Sequence, residues 1–172
     1  MAAILEAFWD RPLEGLVVTR YGHGLPLQSI EVVEAGHPMP DVAGADAAKR
    51  ILDLASSAQE NDTVIFLASG GASALLALPD VTVPLRDKQV VTNDLLRSGA
   101  TIHQMNAVRK HLSSIKGGRL AEAASPARVL TFAISDVPGD NPDVIGSGPT
   151  VPDETTLSDA LAVLKAFEIK SP

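Results

Sequence analysis

Short continuous apolar runs alternate along this chain with longer stretches whose apolar residues recur at steps of three and four. The runs Leu13–Thr19, Ser29–Glu34, Thr63–Ala68 and Val129–Ile134 have the length and composition of strands, and the periodic stretches those of helices. Residues Ala2–Trp9 read as the end of a helix. Asp41 is placed to cap a helix reaching Ser57, with Val42, Ala45, Ile51, Leu52 and Ala55 inward. After the break at Ser69-Gly70-Gly71 comes a short apolar helix, Ser73–Leu78. Arg86–Ser98 and Thr101–Ser114 read as two more helices. In the second, Ile102, Met105, Val108, Leu112 and Ile115 form the apolar stripe, and Asn106, Arg109, Lys110 and Ser113 fall on the other side. Lys116-Gly117-Gly118 interrupts the pattern before a helix over Arg119–Ala124. Asp153 is expected to cap a last helix, Glu154–Phe167.

Strands alternating with helices indicate an α/β fold, Rossmann-like, with a layered, mostly parallel sheet and helices on both faces. The sequence contains no internal repeat, low-complexity segment or linker, so residues 1–172 read as a single α/β domain. The chain opens inside a helix with no strand before it and stops at Lys170-Ser171-Pro172, just after a helix. A doubly wound domain usually opens on a strand, so the expectation is a piece of a larger protein.

Composition narrows the chemistry. Hydrophobic residues make up 45% of the chain and aromatics only 3%, so Ala, Val and Leu must fill the core, as buried parallel strands require. A net charge of −7 argues against a sequence-independent grip on nucleic acid, but a few local donors can still hold a small anion. The absence of cysteine removes disulfides, thiolate zinc sites and thiol nucleophiles, and fits a reducing, cytoplasmic location. The acidic start is no secretory signal, and no apolar run reaches the roughly 20 residues that span a bilayer, so no membrane partner is expected.

Three segments could carry chemistry. In Ser69-Gly70-Gly71-Ala72-Ser73, a strand, a glycine pair and a helix start form an anion cradle, where the backbone can approach a phosphate closely and the serines can add hydroxyls. The plainer reading is a tight strand-to-helix turn. The segment Asn106–Arg119 concentrates Arg109, Lys110, Lys116 and Arg119, which can pair with carboxylate or phosphate, and its glycine pair can seat a second close backbone contact. Alternatively it is a solvated helix face with an ordinary break. The loop after Ile134 sits at a strand's carboxyl end, where open α/β sheets bind ligands. Its Asp136 and Asp140 could hold Mg²⁺, which prefers oxygen ligands, and Ser147-Gly148-Pro149-Thr150 could make another anion-contacting turn. The alternative is a surface loop whose aspartates cap turns. The histidines show no short metal spacing, and His23 and His37, in loops after strands, are read as structural or solvent-facing. Two glycine-rich turns, a basic cluster and a carboxylate pair are together the parts phosphoryl transfer requires.

The same segments resemble the glycerate 2-kinase family, whose members are often labelled hydroxypyruvate reductase. The resemblance is carried by Val17–His23 (VVTRYGH), Glu34–Asp41 (EAGHPMPD), Leu67–Leu75 (LASGGASAL), Asn106–Ser113 (NAVRKHLS), Ile115–Ala121 (IKGGRLA), Ser135–Asp140 (SDVPGD) and Ser147–Asp153 (SGPTVPD), in order and over essentially the whole chain. It implies ATP-dependent phosphorylation of the 2-hydroxyl of D-glycerate, with Mg²⁺ and a second, carboxyl-terminal domain closing over the cleft, and it makes this chain an incomplete amino-terminal domain of a larger two-domain enzyme. The family's Gly-Lys motif, with its proposed catalytic lysine, is expected before Met1, and its proposed catalytic arginine in that second domain. On this reading Lys116 and Arg109 are catalytic, neutralising charge. Ser69, Gly70, Gly71, Ser73, Asn106, Arg119, Ser147, Gly148 and Thr150 bind substrate or phosphate, and Asp136 and Asp140 hold the metal. No general base is assigned.

Two rival functions remain open at this point. An NAD(P)-dependent hydroxypyruvate reductase needs Gly-x-Gly-x-x-Gly after a strand, and Tyr21-Gly22-His23-Gly24 lacks both the third glycine and a following helix. A non-catalytic ligand-binding or oligomerisation module is the other, since an exposed apolar sheet edge would favour a homodimer.

Overall fold

The computed structural model describes residues 1–170; Ser171 and Pro172, the last two residues of the chain end noted above, lie outside the described residues. The elements run α1 (Ala2–Phe8), β1 (Gly15–Arg20), β2 (Ile30–Ala35), α2 (Val42–Ser57), β3 (Thr63–Ala68), α3 (Ala72–Leu75), α4 (Leu85–Ser98), α5 (Ile102–His111), α6 (Arg119–Ala123), β4 (Arg128–Ala133), a 3-10 turn (Ile145–Ser147) and α7 (Leu157–Ala166). The α/β class and the parallel strands agree with the sequence pattern. The strands pair as two separate two-stranded parallel sheets, β1–β2 and β3–β4, rather than as one continuous sheet. Gly15 lies opposite Ile30 in the first and Thr63 opposite Arg128 in the second. β1 and β2 are parallel with no helix between them. The Glu6 carboxylate on α1 organises the returning chain by accepting N–H bonds from Gln28, Ser29 and Ile30 at 2.8, 2.6 and 3.0 Å.

Asp41 caps α2 as expected, accepting from the Gly44 N–H at 2.9 Å. The inward face differs, because Val42 is exposed while Gly44, Ala47, Ala48 and Ala55 are buried. Small residues line this face because α2 packs tightly. A Cβ at Gly44 would lie 3.2 Å from the Leu75 carbonyl and 3.3 Å from the Ala35 Cβ. One core gathers Ala48, Leu76, Ile115 and Leu120 against β3 and β4, and a second joins Val91, Leu95, Val108 and Ala160 across α4, α5 and α7. β4 is less buried than its apolar sequence predicts. With β3 as its one strand partner in the sheet, it leaves Phe132 and, just past its end, Ile134 exposed.

α7 starts later than expected. Its cap is Thr156, in a reciprocal capping box with Asp159, not Asp153. Asp153 is engaged elsewhere, accepting from the Thr155 N–H and hydroxyl at 3.0 and 2.7 Å and from the Lys110 ammonium at 3.2 Å. Among the described residues no helix is long and apolar enough to cross a membrane.

Candidate functional site

The carboxyl ends of β3 and β4 lie side by side, with Ala68 opposite Ala133. The chain leaves β3 through Ser69-Gly70-Gly71 and β4 through Ile134-Ser135-Asp136, so parallel pairing alone brings the glycine turn and the long loop to one sheet end. Two side chains from other segments converge on the turn. A Cβ on Gly70 would lie 3.3 Å from the Asp136 carboxylate, and one on Gly71 only 2.9 Å from the His37 imidazole. Gly71 has φ +85°, which L side chains rarely adopt, so conformation and space both require glycine there. The sequence reading left His37 without a ligand role, and the structure places its exposed ring at the turn.

Beside the turn, a cleft of about 630 Å³ opens on the sheet, lined by Phe66, Ala68, Thr131 and Ala133 and roofed by the loop through Asp140, Pro149 and Thr150. Thr150 is tied to β4, its hydroxyl 2.8 Å from that of Thr131. Asp136 and Asp140 thus both belong to this sheet end, one at the glycine turn and one in the cleft. Among the described residues no three His, Asp or Glu side chains form a metal-binding group. Mg²⁺ needs fewer, because it keeps several waters and uses one or two carboxylates with substrate phosphates.

The polar side of α5 is not a solvated face. Asn106, Lys110 and Ser113 are buried, together with Lys116 beyond the helix, while Ile102 of the supposed apolar stripe is exposed. For Asn106, Lys110 and Lys116 the reason is that the loop over residues 136–153 folds onto that side and supplies acceptors, whereas Ser113 donates to the Leu78 carbonyl at 2.9 Å. Lys110, 1% exposed, pairs with Asp143 and Asp153. Asn106 donates from Nδ2 to the Val144 carbonyl at 3.2 Å, and the Ser147 hydroxyl reaches Asn106 Oδ1 at 3.0 Å and the Ser73 hydroxyl at 2.9 Å. Lys116 donates to the Gly146 carbonyl at 3.0 Å. The glycine pair after Lys116 does seat a close backbone contact, and its occupant is the loop. The Gly117 and Gly118 N–H groups donate to the Ser147 and Gly148 carbonyls at 3.1 and 2.8 Å, and a Cβ at Gly118 would lie 3.1 Å from the Val151 carbonyl. Ser147 and Gly148 are therefore interior, where the sequence suggested a turn facing an anion.

The cations divide by environment. Arg119 donates to the carbonyls of Lys110 and Lys116, at 3.0 and 2.9 Å. Burial pushes the Lys116 ammonium well below the ordinary lysine range, with Lys88 and Arg109 adding repulsion. Lys88, which the sequence reading passed over, is buried and bonded to the carbonyls of Leu78 and Leu112 at 3.3 and 2.9 Å. Burial, then the nearby Arg109 and Arg119, lower it to about 7 against the opposing pull of Asp80. Its signal was present in the sequence, because Lys88 stands three, four and seven positions before Val91, Thr92 and Leu95 on the buried side of α4. Arg109 is partly buried, its pKa lowered by that burial, and it makes no side-chain hydrogen bond or ion pair with any described residue. Around Asp153, burial works to raise the carboxyl, but the Thr155 donors and the Lys110 ammonium outweigh it and hold the group low.

The family described as "Domain of unknown function (DUF4147)" matches residues 1–172. A protein of Agrobacterium vitis named as a hydroxypyruvate reductase is 52% identical over the whole chain, which covers 40% of that relative. A Thermotoga maritima D-glycerate 2-kinase is 48% identical over 98% of the chain and 41% of its own length. Among solved structures, a Thermotoga maritima glycerate kinase aligns with a TM-score of 0.87 at 49% identity, over 92% of this chain and 39% of that one. A Pyrococcus horikoshii protein aligns with a TM-score of 0.92 at 46% identity, over 100% of this chain and 39% of its own. The chain thus spans about two-fifths of the length of the relatives it matches.

Proposed function

The chain belongs to the DUF4147 family, and from that premise we propose that it forms part of an ATP-dependent kinase that phosphorylates the 2-hydroxyl of D-glycerate to give 2-phosphoglycerate. The name of the Thermotoga relative, D-glycerate 2-kinase, supports the substrate. The observation that carries the reading is the convergence of the His37 imidazole and the Asp136 carboxylate on Gly70-Gly71, beside the cleft that bears Asp140.

In this reading Gly70 and Gly71 admit an anionic group close to the main chain, with Ser69 and Ser73 beside it. Asp136 and Asp140 are hard oxygen donors that suit Mg²⁺ and would hold it directly or through water. When bound, that ion neutralises charge on the nucleotide phosphates. Arg109, with no side-chain acceptor among the described residues, would pair with an anionic group. Lys116 and Arg119 act from behind the site, holding the loop and the end of α5 in place. In the transfer, the substrate's 2-oxygen bonds to the γ-phosphorus as the bond to the β–γ bridging oxygen breaks. The hydroxyl proton passes to solvent or to a base that this chain does not identify.

The test is a coupled assay on the chain joined to the remainder of the Thermotoga maritima relative. ATP consumption dependent on D-glycerate, with 2-phosphoglycerate formed, is the expected result. Because an Agrobacterium relative is named as a hydroxypyruvate reductase, the same protein is assayed for NADH oxidation with hydroxypyruvate. Reductase activity without glycerate-dependent ATP consumption would replace the kinase reading.

A further inference from the structure

The turn at Gly70-Gly71 gathers donors and leaves them without acceptors. Neither glycine N–H donates to a carbonyl of a described residue, and Ser69, Gly70 and His37 are all exposed there. The His37 ring stands against Gly71. Its Cδ2 and Nε2 atoms are both 2.9 Å from where a Cβ on that glycine would lie, so this edge of the ring faces the turn. Neither ring nitrogen bonds to or pairs with a described residue. The ring also comes from the other sheet, since β2 ends two positions before it at Ala35 while the turn leaves β3. An exposed ring set against a glycine of another sheet, with no protein partner, is not accounted for by packing. An imidazole N–H, two backbone N–H groups and the Ser69 hydroxyl can all donate, and donors grouped in this way suit an anionic oxygen. The ring nitrogen facing such an oxygen carries the proton, because a lone pair there would repel it. The Asp136 carboxylate, 3.3 Å from a Cβ on Gly70, would repel a bare anion. It tolerates one whose other oxygens share a cation with it, as a phosphoryl group on Mg²⁺ does.

We infer that His37 completes the anion site of the glycine turn, donating from Nε2 to an oxygen of the phosphoryl group that is transferred. This deepens the kinase reading and rests on it for the source of that group. His37 touches the reacting group and is a catalytic residue in that sense. Its proton stays on the ring, no bond forms to it, and it acts by stabilising charge on the phosphoryl oxygens as the group moves. Gly71 has a matching part, because any side chain there would fill the space that the ring edge occupies.

The test compares the joined protein with His37→Ala and His37→Gln. Glutamine places an amide N–H near the position of Nε2 but cannot take a proton as a base. The ring is exposed, so both variants should unfold in urea as the parent does. His37→Ala should lower kcat about tenfold to a hundredfold with KM for D-glycerate unchanged, and His37→Gln should recover most of the loss. In the nitrogen-15 labelled parent, inorganic phosphate should shift the His37 Nε2 resonance and propionate, which offers only a carboxylate, should not. Parent kcat in His37→Ala, a loss confined to KM for D-glycerate, or His37→Gln as slow as His37→Ala overturns the donor role and leaves the kinase reading standing. So does a His37 resonance that phosphate leaves in place or that propionate moves. A parent protein without glycerate-dependent ATP consumption overturns the kinase reading, and the phosphate titration then decides the His37 site by itself.

Discussion

Replacing Lys88 by methionine should flatten the rise of stability with pH on the alkaline side. The buried ammonium titrates at about 7 in the folded chain, against 10.5 for an ordinary lysine. Between those values the unfolded state binds more protons than the folded one, so stability climbs as pH rises from about 7 towards 10.5. Below the window both states are protonated and above it both are neutral, and the slope vanishes. Each pH unit within it is worth roughly 1 kcal/mol per group, so at neutral pH the buried charge withholds on the order of 4 kcal/mol. Methionine preserves the volume and the apolar stem but cannot donate to the carbonyls of Leu78 and Leu112, an opposing loss of about 1–3 kcal/mol. Urea unfolding at about pH 7, 8 and 9, at constant ionic strength, reads both effects. The parent chain should gain stability with pH, and Lys88→Met should gain about 1 kcal/mol less per pH unit. Lys116 is likewise depressed and keeps some slope in the variant. Equal slopes in the two proteins would show that Lys88 stays charged through the window and would refute the reasoning.

Other substitutions probe the rest of the site. Lys110→Ala leaves two carboxylates facing a vacated buried position and should cost about 3–5 kcal/mol in urea unfolding, where a loss under 1 would mean that the pairs are exposed and weak. Gly71→Ala forces an L residue to φ +85° and drives a Cβ towards His37. It should lose about 1–2 kcal/mol of stability and also displace the ring, seen as a shifted His37 NMR resonance. Asp136→Asn, nearly isosteric, should lower kinase turnover at least tenfold in the joined protein and raise its Mg²⁺ requirement. Parent turnover with an unchanged Mg²⁺ requirement would remove Asp136 from the metal role.

How much of this was legible in the sequence depends on how far away each residue's partner lies. The Asp41 cap, the β3 strand and the Gly70-Gly71 turn all rest on neighbours within a few positions, and their patterns stated them. The orientation of α5 rests on a loop more than thirty positions away. Asn106, Lys110 and Ser113 looked solvated because polar side chains usually are, and their burial is stable only once Asp143, Asp153 and the carbonyls of Val144 and Leu78 arrive. The spacing of four and then three nevertheless put those polar residues on one helix face, a signal open to either reading. His37 was passed over for a related reason. Its contact with Gly71 depends on how β2 and β3 lie in space, which the loop around it does not reveal.

The two ion pairs of Lys110 hold the loop on either side of its buried Ser147 turn. Between Asp143 and Asp153 the chain has already given up much of its conformational freedom before any ligand arrives. Little ordering entropy is then left for binding to oppose, and affinity depends on the fit to a surface set in advance rather than on loop closure. Calorimetry should show this as a small entropic penalty for ligand binding, growing when Lys110 is removed.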